Sequence, residues 1–499
     1  KRKENADFYS INNLYHPSTI DGCFVHDGHG LCGGLKTNEG CWNTAPHKER
    51  IVYYDTNRLQ LLSNVFEDGT TNDCAKLVSI HSCEILNVLS KIETFQTHVR
   101  DFKHIITVCF DETGAPKAGI IVRDTHFPDI ENYDMIYNGP HIYVANAYSK
   151  TPRTQCIVAN RDYDTIDLFK MKKDFVPRSN YRRNISVQDI RTYIHGFLKN
   201  VNDKDSYESY LDYYKVGFRN MMSQSGERTL ICAVLPRKTA HINGVRSISF
   251  LNRTDTVDMA ALCSSIVMDF YMKTIGSDNL MPSRMQSFPL GVAPKYQPAI
   301  YSRTLLLNCL TVHYSDLWQE MWDGAYKQET WSIDDPRLKP FDQLHEDWAW
   351  DIPLRNYFER RQALVEIDVI AAMALGLTLE DLEMIYTIQF PVLQQNEADT
   401  WYDQKGNIVF TCSKGLTGVG LDRKRNTKTG MLGWEDIRGE QIDENTYAGT
   451  SPTHTHTIDP AKSELYGGQQ VTYYAPYTKC NRIEDYRRAW VHFEEMFNK

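Results

Sequence analysis

No apolar run in the chain approaches the roughly 18–20 residues that a membrane span needs. The richest stretch, 259–272, is broken by Ser264, Ser265 and Asp269. The opening KRKENADFYS has no apolar signal-peptide core. Lys1 rather than Met heads the chain, so the sequence reads as part of a longer cytoplasmic polypeptide. Cysteine is sparse: 12 are scattered over 499 residues without dense clustering, which argues against a disulfide framework and for free thiols in a reducing compartment. There is no Walker A sequence, no internal repeat and no low-complexity tract.

Two further absences bear on chemistry. A nucleotide or S-adenosylmethionine pocket needs a Gly-rich turn between a buried strand and a helix. Gly28-His29-Gly30, Gly33-Gly34 and Gly418-Val419-Gly420 follow no clear buried strand and read as turns. Methylation of a base amine needs an Asn/Asp-Pro-Pro-aromatic tetrad, whose acceptors hold the amine of a flipped base. Asn138-Gly139-Pro140-His141 and Asp334-Asp335-Pro336-Arg337 lack the second proline and the aromatic, and also read as turns.

What is present is the composition of folded protein: 41% hydrophobic and 24% charged residues allow several cores and exclude general disorder. Net charge is −9. Its distribution is uneven, because 150–299 carries 22 Lys and Arg against 14 Asp and Glu, leaving a surplus of acid elsewhere. A basic middle between acidic ends is the asymmetry expected when one domain meets a polyanion.

The basic residues fall into three groups. Lys170, Lys172, Lys173, Arg178, Arg182 and Arg183 sit with Asn180 and Tyr181 in a segment where Pro177 and Asn180 favour an exposed loop. Arg237, Lys238, Asn243 and Arg246 follow an apolar strand, 229–235. Arg423, Lys424 and Arg425 lie near glycines. Lys and Arg on loops hold phosphates, while Arg and Asn read base edges bidentately. Arg178 and Asn180 are the candidate base readers, flanked by phosphate anchors.

Cys23, His26, His29 and Cys32 offer thiolates and imidazoles at two-residue gaps, the best zinc candidate in the chain. The competing reading is a Gly-rich loop that holds its histidines by chance. Glu366 and Asp368 read as helix charges rather than nuclease ligands, and Trp318, Trp322, Trp331, Trp348 and Trp350 as helix-packing core rather than a docking surface.

Apolar periodicity predicts helices over 56–66, 81–92, 211–222, 257–274, 301–322, 354–375, 378–390 and 483–497. Gly376 reads as a left-handed cap, and Thr378 with Asp381 as a capping box. Ile105 to Val122 reads as a hairpin around DETGAP.

Several strings then come together: NGPHIYVANAYSKTPRTQC (138–156), YDTIDLFKMKKDFVPRSNY (163–181), MMSQSGERTLICAVLPRKTAHINGV (221–245), RQALVEIDVIAAMALGLTLEDLEMIYTIQFP (361–391) and EADTWYDQKGNIVFTCSKGLTGVGL (397–421). With GERTLI and LGLTLEDL the most telling, the chain resembles the C-terminal half of the large adenine-specific DNA methylases of bacterial defence. These are the type IIG restriction–modification enzymes and the methylases of phage-exclusion systems. The resemblance implies a target-recognition module that binds double-stranded DNA. S-adenosylmethionine and the Asn-Pro-Pro-Tyr motif would belong to a separate catalytic domain or subunit. It also admits a scaffold role among other defence subunits. The expected fold is α+β and multidomain: an N-terminal α+β region (1–136), an α/β target-recognition domain (137–298), a helical spacer (299–395), and an irregular Gly-rich region with a closing helix (396–499).

Overall fold

A computed structural model describes residues 8–12, 14, 16–25, 41, 43–67, 75, 77–78, 80, 82–155, 162–200, 203–438 and 453–498. The fold is α+β, with 41% helix and 18% strand divided among several small sheets. The largest sheet has four antiparallel strands in the order Cys232–Leu235, Lys215–Arg219, Val245–Phe250 and His104–Thr107. Helix Arg253–Ser264 packs on the first three of them. The largest apolar cluster runs from Val52 to Phe493 and crosses the positions 136, 298 and 395. Among the described residues no helix is long and apolar enough to cross a membrane.

Several helices form where local signals place them. Thr56–Phe66 is capped by Asp55, whose carboxylate accepts from the Arg58 amide. Tyr357–Ala374 begins at a capping box of Asn356 and Glu359. Leu379–Gln389 begins at the box of Thr378 and Asp381, one turn after Gly376 at φ +74°. Arg482–Phe497 closes the chain from the cap Asn481. Pro391 does not merely stop a helix but opens the next, Pro391–Ala398, as the first-turn residue whose missing N–H costs nothing.

Elsewhere tertiary pairing overrides the local pattern. Residues 211–222 hold a strand, Lys215–Arg219, rather than a helix. Val216 and Phe218 point into the core, and a Cβ at Gly217 would stand 2.6 Å from the Leu235 side chain. The 105–122 hairpin is absent: His104–Thr107 pairs with Val245–Phe250, while Ile121–His126 pairs with Ser179–Arg183. The helix expected over 257–274 starts earlier and breaks into Arg253–Ser264 and Ile266–Ile275. Ser265 sits in extended backbone at the joint and caps the second helix.

The break has a specific cause. Arg228, of the GERTLI string, donates to the carbonyls of Ser264 at 2.9 Å and Ser265 at 3.2 Å. Its Nε meets Asp269 at 2.5 Å, and Asp269 also accepts from the amides of Thr229 and Leu230, both at 3.0 Å. The arginine thus takes carbonyls that a continuous helix would have used internally. GERTLI is therefore a structural lock in this chain. Its glutamate, Glu227, accepts from Ser413 Oγ at 2.6 Å and Asn396 Nδ2 at 2.8 Å.

Candidate nucleic-acid interface

Strand Ile136–Tyr137 runs parallel to Ala240–His241. Ser179 Oγ donates to the Ile136 carbonyl at 2.9 Å. Two of the segments expected to meet DNA therefore flank one strand. At its end Asn138 caps a single turn, Gly139–His141, and the Asn138 amide donates to His141 Nδ1 at 2.9 Å.

A polar corner grows outward from this turn. Asn138 Nδ2 and Asn180 Nδ2 both donate to the Tyr163 hydroxyl, at 2.8 and 2.9 Å. Gly139 neighbours Gly244: a Cβ on Gly139 would make ordinary van der Waals contact with the Gly244 carbonyl, at 3.7 Å. Asn220 donates to that carbonyl from its amide, and to the Asn243 carbonyl from Nδ2, both at 3.0 Å. Asn243 Oδ1 accepts from the Glu112 amide at 3.3 Å, and the Glu112 carboxylate accepts from the Tyr181 hydroxyl. Asn138, Asn180, Asn220, Asn243 and the nearby Arg246 thus gather at one end of the main sheet.

The corner is not self-sufficient. Asn138 Oδ1, Asn220 Oδ1 and Arg246 Nε are buried without a hydrogen-bond partner. Leaving a buried polar atom unpaired costs about 1–3 kcal/mol, and such atoms are exceptions that call for a physical reason. Burial also depresses the Arg246 guanidinium. Asn220, Asn243, Gly244 and Arg246 remain partly exposed, so the corner is open at its edge.

The other expected contacts are dispersed, and most carry a protein partner. Lys170 bonds Gln469 Oε1 at 2.9 Å and lies 5.2 Å from the Tyr466 ring centre. Arg178 pairs with Glu464 at 2.8 Å and stacks 4.5 Å above the Phe127 ring. Arg182 pairs with Asp124 at 3.2 Å, and Arg183 donates to the carbonyls of Asn132 and Ile185. Arg237 pairs with Asp316 at 3.1 Å, Lys238 with Glu131, Arg423 with Asp399 at 2.7 Å and Arg425 with Asp436 at 3.3 Å. Lys172, Lys173 and Lys424 are exposed, with no carboxylate partner among the described residues.

The segment 170–183 is therefore not the one exposed loop that Pro177, Asn180 and its charges suggest. Its second half is the strand Ser179–Arg183, in which Asn180 and Tyr181 are buried. Alternation within that strand turns Arg182 out and Tyr181 in. Asn138, Tyr163 and Asn220 are corner residues that sequence reasoning passes over. Asn138 alone had a visible signal, the Asn-Gly-Pro-His turn.

Cys23 is buried at the end of helix Pro17–Cys23, while His26, His29 and Cys32 lie outside the described residues. No cluster of potential metal ligands occurs among the described residues. Glu366 and Asp368 are fully buried in ion pairs with Arg303 at 2.6 Å and Arg482 at 2.7 Å. Trp318 is buried in the main apolar cluster and Trp322, Trp331 and Trp348 are half-buried against it, while the indoles of Trp318, Trp331, Trp348 and Trp350 donate to the carbonyls of His345, Lys339, Cys309 and Met171. No family model and no curated protein matches the chain.

Proposed function

We propose that this chain binds double-stranded DNA as the target-recognition part of an adenine-specific (N6) methyltransferase of bacterial restriction or phage defence. In this reading S-adenosylmethionine and the transferring residues belong to a partner domain or subunit. The polar corner carries the reading. Four asparagines and Arg246 converge there at an open edge, and three of their buried polar atoms want partners. Asn and Arg are the residue types that match base edges bidentately. Lys172 and Lys173, exposed and without a carboxylate partner among the described residues, supply charge for the phosphate backbone.

The test is fluorescence anisotropy of labelled duplex titrated with the chain across a range of salt concentrations. Binding should weaken steeply as salt rises, since phosphate neutralisation releases counterions. Absence of duplex binding at every salt concentration, with or without a catalytic partner added, overturns the reading.

A further inference from the structure

A cleft of about 540 Å³ lies between the strands Lys150–Pro152 and Tyr163–Thr165 on one side and the C-terminal segments 407–432 and 456–473 on the other. Its volume is within the roughly 300–1,000 Å³ typical of small-molecule sites. The C-terminal wall is tied down rather than loosely apposed. Arg153 donates to the Ala461 carbonyl at 3.2 Å and to the Lys462 carbonyl, and Thr165 Oγ1 donates to the Thr417 carbonyl at 2.7 Å. The lip is Gly418-Val419-Gly420, with φ of +95° and +74° at the glycines. A Cβ on Gly420 would stand 2.6 Å from the Val409 carbonyl, so the turn requires glycine.

The lining has two characters. Tyr163, Phe169, Tyr466 and Tyr473 present aromatic surface, and Phe169 is 48% exposed. Against them stand two polar groups without protein partners among the described residues: the Lys150 ammonium and the Tyr357 hydroxyl. Burial and the nearby Arg219 guanidinium both act against the Lys150 charge. A cation so placed gains from an anion that the protein does not supply. Of the four aspartates in the lining, Asp162, Asp167, Asp422 and Asp459, none forms an ion pair with Lys150: Asp422 pairs with Lys462, Asp459 accepts from the Ala461 amide and Asp167 from that of Phe169.

We propose that this cleft is a binding site for a mononucleotide, with the base among the aromatic side chains and the phosphate at Lys150 and Tyr357. Aromatic faces accept any base, and a charged donor meeting phosphate makes the stronger class of hydrogen bond. The cleft shares Tyr163 with the polar corner, but Lys150 and Tyr357 lie outside the corner, and nucleotide binding there does not require duplex recognition.

Calorimetric titration of the full chain with AMP, GMP, CMP and UMP tests it, with inorganic phosphate and a 5′-phosphorylated single-stranded tetranucleotide as separate arms. At least one mononucleotide should bind at millimolar concentration or below, and phosphate alone at least about tenfold more weakly, for want of the stacked base. Lys150→Met should weaken nucleotide binding by about tenfold or more. Tyr357→Phe, which keeps the ring and the packing, should weaken it severalfold with the melting temperature unchanged, so the test survives if Lys150→Met fails to fold. Binding of the tetranucleotide alone, lost on the same substitutions, supports the site and names a strand end as the source. Absence of binding in every arm, or affinity unchanged by both substitutions, overturns it. Duplex affinity measured in parallel separates this outcome from failure of the DNA reading.

Discussion

Arg482 Nη1, in the closing helix, donates to Asp368 Oδ2 at 2.7 Å, across 114 residues of chain. The other oxygen of Asp368 accepts from the Ile266 amide at 2.8 Å, at the start of the helix that follows the Ser265 break. One carboxylate therefore holds three helices. Arg482 also meets Glu397, through Nε at 2.7 Å and Nη2 at 2.9 Å. Burial alone would raise the Glu397 carboxyl, but Arg482 and Arg361 outweigh it and hold it at about 2.

Removing Arg482 leaves Asp368 without its ion-pair partner and Glu397 with Arg361 alone. Breaking a buried pair by deleting one partner costs about 3–5 kcal/mol. Arg482→Met should destabilise the chain by that amount in urea unfolding, while Arg487→Ala, at an exposed pair with Glu383, should leave the midpoint unchanged.

Lys215 is the opposite case, a buried cation with little compensation. Its ammonium donates to the Thr239 carbonyl at 2.9 Å, and no carboxylate among the described residues lies within ion-pair distance. Burial pushes its pKa down to about 8, against the opposing effects of Cys109 and Asp212. The folded chain releases this proton before the unfolded chain does. Stability should therefore rise with pH between about 8 and the ordinary lysine value near 10.4. Lys215→Met should be more stable than the parent at pH 7, and the difference should shrink by pH 10. Equal unfolding midpoints at both pH values would count against this account.

Acid should act through two buried histidines. His141 accepts from the Asn138 amide through Nδ1 and donates to the Arg178 carbonyl through Nε2 at 2.8 Å, so it is neutral with the proton on Nε2. Burial lowers His141 to about 4 and His241 to about 3. The unfolded chain binds these protons near pH 6.5 and the folded chain does not, so stability should fall as pH drops from about 6.5 towards 4. Imidazole nitrogen shifts in histidine-labelled protein should show both rings neutral at pH 5.5. A protonated His141 at that pH would contradict the assignment.

Of the basic residues in 170–183, only Lys172 and Lys173 are exposed without a carboxylate partner among the described residues. Replacing both with Ala should lower affinity for all duplexes alike and flatten the log-affinity against log-salt slope by at most about two. Asn220→Ala and Arg246→Ala should instead change which duplex is preferred. Arg178→Ala should act mainly by releasing the 459–466 segment through loss of Glu464, read as faster proteolysis there. An unchanged salt slope in the double lysine variant would place the phosphates elsewhere.

The sequence by itself determined the parts of this protein that depend on neighbours a few residues apart. The capping box of Thr378 and Asp381, the left-handed Gly376 and the amphipathic closing helix are local arrangements of backbone, cap and apolar period, and each forms where its residues say. The basic character of the middle of the chain is equally legible, because charge is a property of composition. What only the tertiary structure decided is which polar groups are already spent. Arg178 and Glu464 lie 286 positions apart by their numbering, and no spacing rule connects them. Lys215–Arg219 is a strand because Cys232–Leu235 and Val245–Phe250 pair with it, and 253–275 breaks because Arg228 takes its carbonyls. The polar corner follows the same logic. Asn180 and Asn243 stand out along the chain only as members of separate basic stretches and Asn138 only as a turn residue, and with Asn220 they become neighbours only when long-range strand pairing brings their segments together.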